Sequence, residues 1–130
     1  MRSKVFAAAF VIGLFPQLAH AEGALAFVNI PDVGYSAGSE VNWSTAAQAE
    51  AEALQRCGET ESPAKGQCEI VANLHRNCAA VAAGSSAAAW AVADTQEAAE
   101  SRALASCQTM TGDCEVTEVT DCDTNDGEAQ

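Results

Sequence analysis

Three kinds of side chain in this sequence could carry chemistry: six cysteines, two histidines and eighteen carboxylates, the last set against only six basic residues. A nucleophilic cysteine must be a thiolate outside any disulfide. Here the cysteine count is even and no Cys-x-x-Cys pair occurs, so structural pairing is expected and thioredoxin-like exchange has no motif to rest on. His75, in Leu74-His75-Arg76-Asn77, is the one histidine outside the N-terminal segment. A Ser-His-Asp set would have to gather a serine such as Ser85 or Ser86 and a carboxylate such as Asp94 around it. The local sequence reads instead as a surface turn. Paired carboxylates do acid–base work when their surroundings separate their pKa values, but Glu50, Glu52, Glu97 and Glu100 fall where first-turn and solvent-facing helix acids belong.

The run Asp121-Cys122-Asp123-Thr124-Asn125-Asp126-Gly127 opens like a calcium-binding EF-hand loop. It departs at the sixth position, where Asp126 stands in place of glycine, and the chain ends before a twelfth-position glutamate. Zinc would compete for cysteines expected in disulfides. No glycine-rich loop leads into a helix to cradle phosphate. No catalytic residue, cofactor or metal ligand is assigned. Nucleic acid is also an unfavourable partner, because a chain with net charge −12 repels polyphosphate.

The elements that position these groups begin after an export signal. Met1-Arg2-Ser3-Lys4 is basic, Val5 to Phe15 is apolar, Pro16 breaks the run, and Ala19-His20-Ala21 supplies small residues for cleavage after Ala21. The apolar run is shorter than the roughly 20 residues that span a bilayer. The mature chain would keep 109 residues, all eighteen acids and four bases, Arg56, Lys65, Arg76 and Arg102. Export to an oxidising compartment suits three disulfides. They are needed, because 29 of the 130 residues are alanine and alanine buries little area at about 25 cal/mol per Å².

The segment from Ala47 to Cys57 lies over that from Glu97 to Cys107, matching Ala49, Glu50, Ala53, Leu54 and Cys57 to Ala99, Glu100, Ala103, Leu104 and Cys107. Cys68-Glu69-Ile70-Val71 and Cys114-Glu115-Val116-Thr117 follow, then Cys78 and Cys122, while Trp43 and Trp90 precede the two segments. This ordered series reads as a duplicated unit. Each unit is expected to be strand, strand, helix, strand: an α+β fold of two pseudo-symmetric repeats with antiparallel sheet. Ala24–Asn29 and Cys78–Ala83 are the first strands, and the Trp43 and Trp90 segments pair back on them, the former after a Pro31–Gly38 loop. Thr45 with Gln48 and Asp94 with Glu97 have capping-box spacing. The domain spans 22–122, and residues 123–130 read as an acidic disordered tail.

Six cysteines allow 15 pairings. If equivalent cysteines do equivalent jobs, Cys57–Cys68 and Cys107–Cys114 tie each helix end to the next strand, leaving Cys78–Cys122 to lock the halves together. Cys68–Cys78 with Cys114–Cys122 is the rival set. These residues, with the Leu-x-x-Cys helix ends, the Cys-x-Ile-Val strand and Asn77-Cys78-Ala79-Ala80-Val81-Ala82, resemble the bacterial family known as domain of unknown function 4189 from about Gly23 to Cys122. The resemblance implies a small secreted or periplasmic disulfide-bonded module and no activity.

The reading that follows is an exported protein-interaction module of the envelope or secreted fraction. It would use the Pro31–Gly38 and His75–Asn77 loops, with Tyr35 as an exposed aromatic anchor in the first, His75 as a contact in the second, and a basic partner favoured by the charge. A small secreted hydrolase using carboxylates or His75, and a purely structural envelope protein, are the alternatives.

Overall fold

The computed structural model describes residues 21–124. The expected signal segment up to His20 and the tail from Asn125 lie outside the described residues. The chain runs β1 (Glu22–Ile30), β2 (Gly34–Trp43), α1 (Ala46–Gly58), β3 (Glu69–Leu74), β4 (Cys78–Ala83), β5 (Ala88–Ala93), α2 (Gln96–Gln108) and β6 (Glu115–Cys122). Two antiparallel three-stranded sheets result, ordered β2-β1-β3 and β5-β4-β6. The expected strand-strand-helix-strand unit therefore occurs twice, in one small disulfide-stabilised α+β domain.

Alternation along the central strands builds four layers. Leu25 and Phe27 of β1 meet Ala79 and Val81 of β4 between the two sheets. On the opposite faces, Ala24 and Ala26 pack on Ala49, Ala53 and Cys57 of α1, while Ala80 and Ala82 pack on Ala99, Ala103 and Cys107 of α2. A strand buried on both faces reads as a nearly continuous apolar run, and Cys78-Ala-Ala-Val-Ala-Ala83 is such a run. Small residues let each helix lie close to its sheet. Gly38 marks the tightest approach: a β-carbon there would stand 2.5 Å from the Cys57 nitrogen and 2.8 Å from the Ala53 oxygen.

The helices start where threonine can cap them. Thr45 Oγ1 accepts from the Gln48 amide at 3.1 Å, and Thr95 Oγ1 accepts from the Ala98 amide at 3.1 Å. Of the Asp94-Thr95 pair that the sequence offers as N-cap, Asp94, which has the capping-box spacing to Glu97, stands one residue too early. The hydroxyl of Thr95 holds the position equivalent to Thr45.

Three further expectations are corrected. The Pro31–Gly38 loop is only Pro31-Asp32-Val33, with Asp32 at φ 64° and the Val33 amide donating to Ile30 O at 2.9 Å. Gly34 to Gly38 is already strand, paired with Ile30 to Ala26, because pairing with β1 supplies what its small, turn-prone residues lack in propensity. The tryptophans are not equivalent: Trp43 ends β2 and packs on the α1 side, whereas Trp90 sits mid-strand in β5 and faces the other sheet. The third correction concerns the Cys78–Cys122 bond.

The disulfides are Cys57–Cys68, Cys107–Cys114 and Cys78–Cys122. The first two join each helix end to the segment entering the next strand. Cys78 and Cys122 face each other across β4 and β6, so their bond lies inside the second sheet and does not lock the halves. In the first sheet the corresponding place, beyond the Gly23–Leu74 pair, holds Glu22 and His75, whose Oε2 and Nδ1 are 3.5 Å apart.

Asp123 adds a polar clasp between the halves. It is 2% exposed, although the sequence puts it at the head of the polar tail. Its Oδ1 accepts from the Asn42 amide at the end of β2 at 3.0 Å, and its Oδ2 from the Arg76 amide between β3 and β4 at 3.1 Å. Its own amide donates to Asn77 O at 2.9 Å. Asn42 and Arg76 both have φ near 65°, an uncommon conformation that aims their amides at one carboxylate.

Replacing Asp123 by Ala leaves two part-buried amides without their acceptor and should cost about 2 kcal/mol in urea unfolding under non-reducing conditions. A loss no larger than that of an ordinary surface substitution would contradict the clasp. Ser36 Oγ, by contrast, is buried without a hydrogen-bond partner. Ser36→Ala is therefore expected to stabilise the protein by about 1 kcal/mol in the same assay.

Candidate functional site

The two sheets do not close completely along one side. Edge strand β2 of the first sheet and edge strand β6 of the second flank a cleft of about 620 Å³, lined by Gly38 and Val119 among others and reached by the C-terminal end of α1. β2 contributes Ser39 and Glu40, β6 contributes Glu118 and Asp121, and the helix end brings Arg56, Glu59 and Thr60. Gly38 permits this arrangement, because the helix can approach the strand only where no side chain intervenes. Thr60 Oγ1 donates to Ala37 O at 3.3 Å and fixes the segment that leaves the helix.

Two polar pairs organise the cleft. Ser39 Oγ donates to Asp121 Oδ2 at 2.6 Å across the gap between the sheets. Glu40 accepts from Trp43 Nε1 at 3.0 Å through one oxygen and binds the Arg56 guanidinium through the other. The hydrogen bond and charge of Glu40 push the Arg56 pKa further up. Burial raises the Asp121 pKa and the charge of Glu40 adds to this, opposed by the Ser39 hydrogen bond and by Arg56. Among the described residues, Asp121 is thus a half-buried carboxylate with no ion pair of its own.

The sequence-derived contacts lie elsewhere. Tyr35 is in β2 rather than in a loop, half-buried against the apolar layer between the sheets. Burial raises its pKa, with a further contribution from Glu118. It borders a depression of about 70 Å³ with Asn29 and Ser85. His75 is exposed on the β3–β4 bend beside Glu22. Ser85 and Ser86 lie in the turn at the far end of β4, six residues at about 3.3 Å each from the His75 bend. The serines and the histidine that a Ser-His-Asp set would need are held apart by the length of the strand.

Glu50 accepts from Asn73 Nδ2 at 2.8 Å and Glu100 from Gln96 Nε2 at 2.9 Å, both on exposed surface. Of the acids in the calcium-like run, Asp121 bonds Ser39 and Asp123 bonds backbone amides. Among the described residues no cluster of three His, Cys, Asp or Glu side chains is arranged to hold a metal ion. No described helix is long and apolar enough to cross a membrane.

Fold and site together define a small disulfide-braced α+β domain of two repeats, with an acidic cleft between sheet edges and its cysteines all paired. The chain belongs to the family described as domain of unknown function (DUF4189), which matches residues 23–122. No curated protein and no solved structure matches it.

Sequence reasoning missed Ser39, Glu40, Arg56, Glu118 and Asp121 as one group. They come from three elements and converge only when the two sheets pack. The one local signal was β2 itself, concealed by reading Gly34–Gly38 as loop.

The two perturbed aspartates should respond oppositely to pH. Asp121 has a folded pKa above its reference 3.8, so its ionisation opposes folding, and the penalty grows as pH rises through the folded value. Asp121→Asn, which can still accept from Ser39, should raise Tm at pH 7, the gain vanishing below pH 3.8. Asp113 is held at about 2, below its reference 3.8, by the Ser85 amide and the Thr111 hydroxyl. Its contribution is present above 3.8 and is lost as pH falls towards 2, so Asp113→Asn should lower Tm at pH 7. Thermal melts across pH 2–7 check both signs, and equal signs would contradict the assignment.

Proposed function

We propose that this protein is an exported protein-interaction module of the cell envelope or secreted fraction, and that its working surface is the cleft between β2 and β6. The observation that carries the reading is the cleft itself. It is a concave site of ligand-binding size, framed by a disulfide-braced scaffold, with no nucleophile–base pair of the usual kinds among its lining residues. A rigid frame lowers the ordering cost of binding. The six paired cysteines and the signal-like segment ending at Ala21 support export, and the net charge of −12 favours a basic partner.

The test is capture from the native host with a tag placed after Gln130. The expected result is a mature chain whose intact mass begins at Glu22, with one stoichiometric partner in the envelope or medium fraction. Capture of that partner should weaken as salt is added, since complementary charge is screened within about 10 Å at 0.1 M. A chain retaining Met1–Ala21, or no specific partner in either fraction, would overturn the proposal.

A further inference from the structure

We infer that the β2–β6 cleft is a receptor for a single cationic side chain presented by a partner, and that Arg56 is an internal occupant which this side chain displaces. The inference rests on reading the cleft as the interaction surface. Carboxylates on a surface would by themselves select nothing. Here the concavity is bounded by the edges of two different sheets, and a guanidinium of the protein itself already sits on Glu40 within it.

The geometry divides the cleft into a filled half and an unfilled half. Glu40 is 14% exposed in its side chain, and both its oxygens are engaged, by Arg56 and by Trp43. Asp121 has one side-chain partner, the neutral hydroxyl of Ser39, which can neutralise no charge. Glu118 and Glu59 add two more carboxylates to the lining, against the one arginine. Glu59 and Glu118 are exposed, whereas Glu40 and Asp121 are part-buried, and that part-buried pair gains from a planar donor that can bridge two acceptors, which favours guanidinium over ammonium.

Arg56 can yield its place. Its side chain is 61% exposed, on the last turn of α1, and its ion pair with Glu40 is of the solvent-exposed kind that contributes little to stability. A partner arginine that reaches both Glu40 and Asp121 exchanges a weak internal pair for contacts to two carboxylates. A second copy of this chain is a poor occupant, because two molecules of charge −12 would meet acid against acid.

The probe is tri-arginine amide, with tri-citrulline amide as its neutral isostere, titrated into the disulfide-intact mature protein at low salt by calorimetry and amide NMR. Tri-arginine should bind with shifts centred on Ser39, Val119 and Asp121, and tri-citrulline should not. Glu40→Gln with Asp121→Asn should weaken binding about tenfold. Glu97→Gln with Glu115→Gln, which removes the same charge from exposed positions of the second repeat, should leave it nearly unchanged. Arg56→Ala should tighten binding about twofold to fivefold by removing the competitor.

Equal weakening by the two charge-matched double variants would reduce the effect to general attraction and overturn the inference. So would weaker or unchanged binding by Arg56→Ala, a result that misfolding of the other variants could not mimic. A captured native partner together with no tri-arginine binding would remove this inference alone. Tri-arginine binding with no captured partner would remove the wider proposal alone.

Discussion

Two backbone amides in left-handed conformation, at Asn42 and Arg76, point at the two oxygens of one buried carboxylate, and that geometry fastens one end of the two halves where their shared apolar layer stops. Asp123 touches the end of β2 in the first sheet, the connector between the repeats and the end of β6 in the second. A carboxylate accepting backbone amides in a buried place is a strong hydrogen-bond acceptor and a costly one to remove. The backbone cost at Asn42 and Arg76 is tolerated because the acceptor is there. Ser39 and Asp121, next along the same two strands, continue the contact into the cleft, so the clasp that joins the halves also sets the spacing of the candidate site.

The rest of the stability has to come from a core of unusually small side chains. Among the largest fully buried residues are only Leu25, Leu74 and Val81, with Cys57 and Cys107 beside them. Alanine faces allow helix and sheet to approach closely but return little apolar area at about 25 cal/mol per Å². The covalent bridges stand at the helix ends, Cys57–Cys68 and Cys107–Cys114, where the packed face runs out and the chain must reverse. Each contributes on the order of 2–4 kcal/mol by limiting the unfolded chain. The same closeness places Arg56 over β2, because Gly38 lets α1 settle there.

Much of this order was legible in the sequence. Alanines at helical spacing marked α1 and α2, the apolar run from Cys78 marked β4, and the duplicated Leu-x-x-Cys segments marked the two repeats. What escaped was whatever depends on two distant elements meeting. Asp123 looks like any acid in a polar tail until Asn42 and Arg76 surround it. Gly34–Gly38 carries turn-forming residues and becomes strand only through pairing with β1. Trp43 and Trp90 match in sequence order but face opposite sides of their sheets, since three residues separate their places in the repeat and strand sidedness changes with every residue. The cleft draws on β2, α1 and β6 and has no sequence signature of its own.

Each sheet, with its helix, is made from one uninterrupted stretch of chain, 22–74 or 78–122, and each of the three disulfides closes inside such a stretch or at its margin, with sequence separations of 11, 44 and 7. A chain delivered N-terminus first can therefore finish and oxidise its first half before the second has arrived. Asp123, the residue that fastens the halves, is reached last. The order of synthesis and the order of assembly coincide, and the cysteines of the first helix and strand can find each other while the only competitors present are their own neighbours.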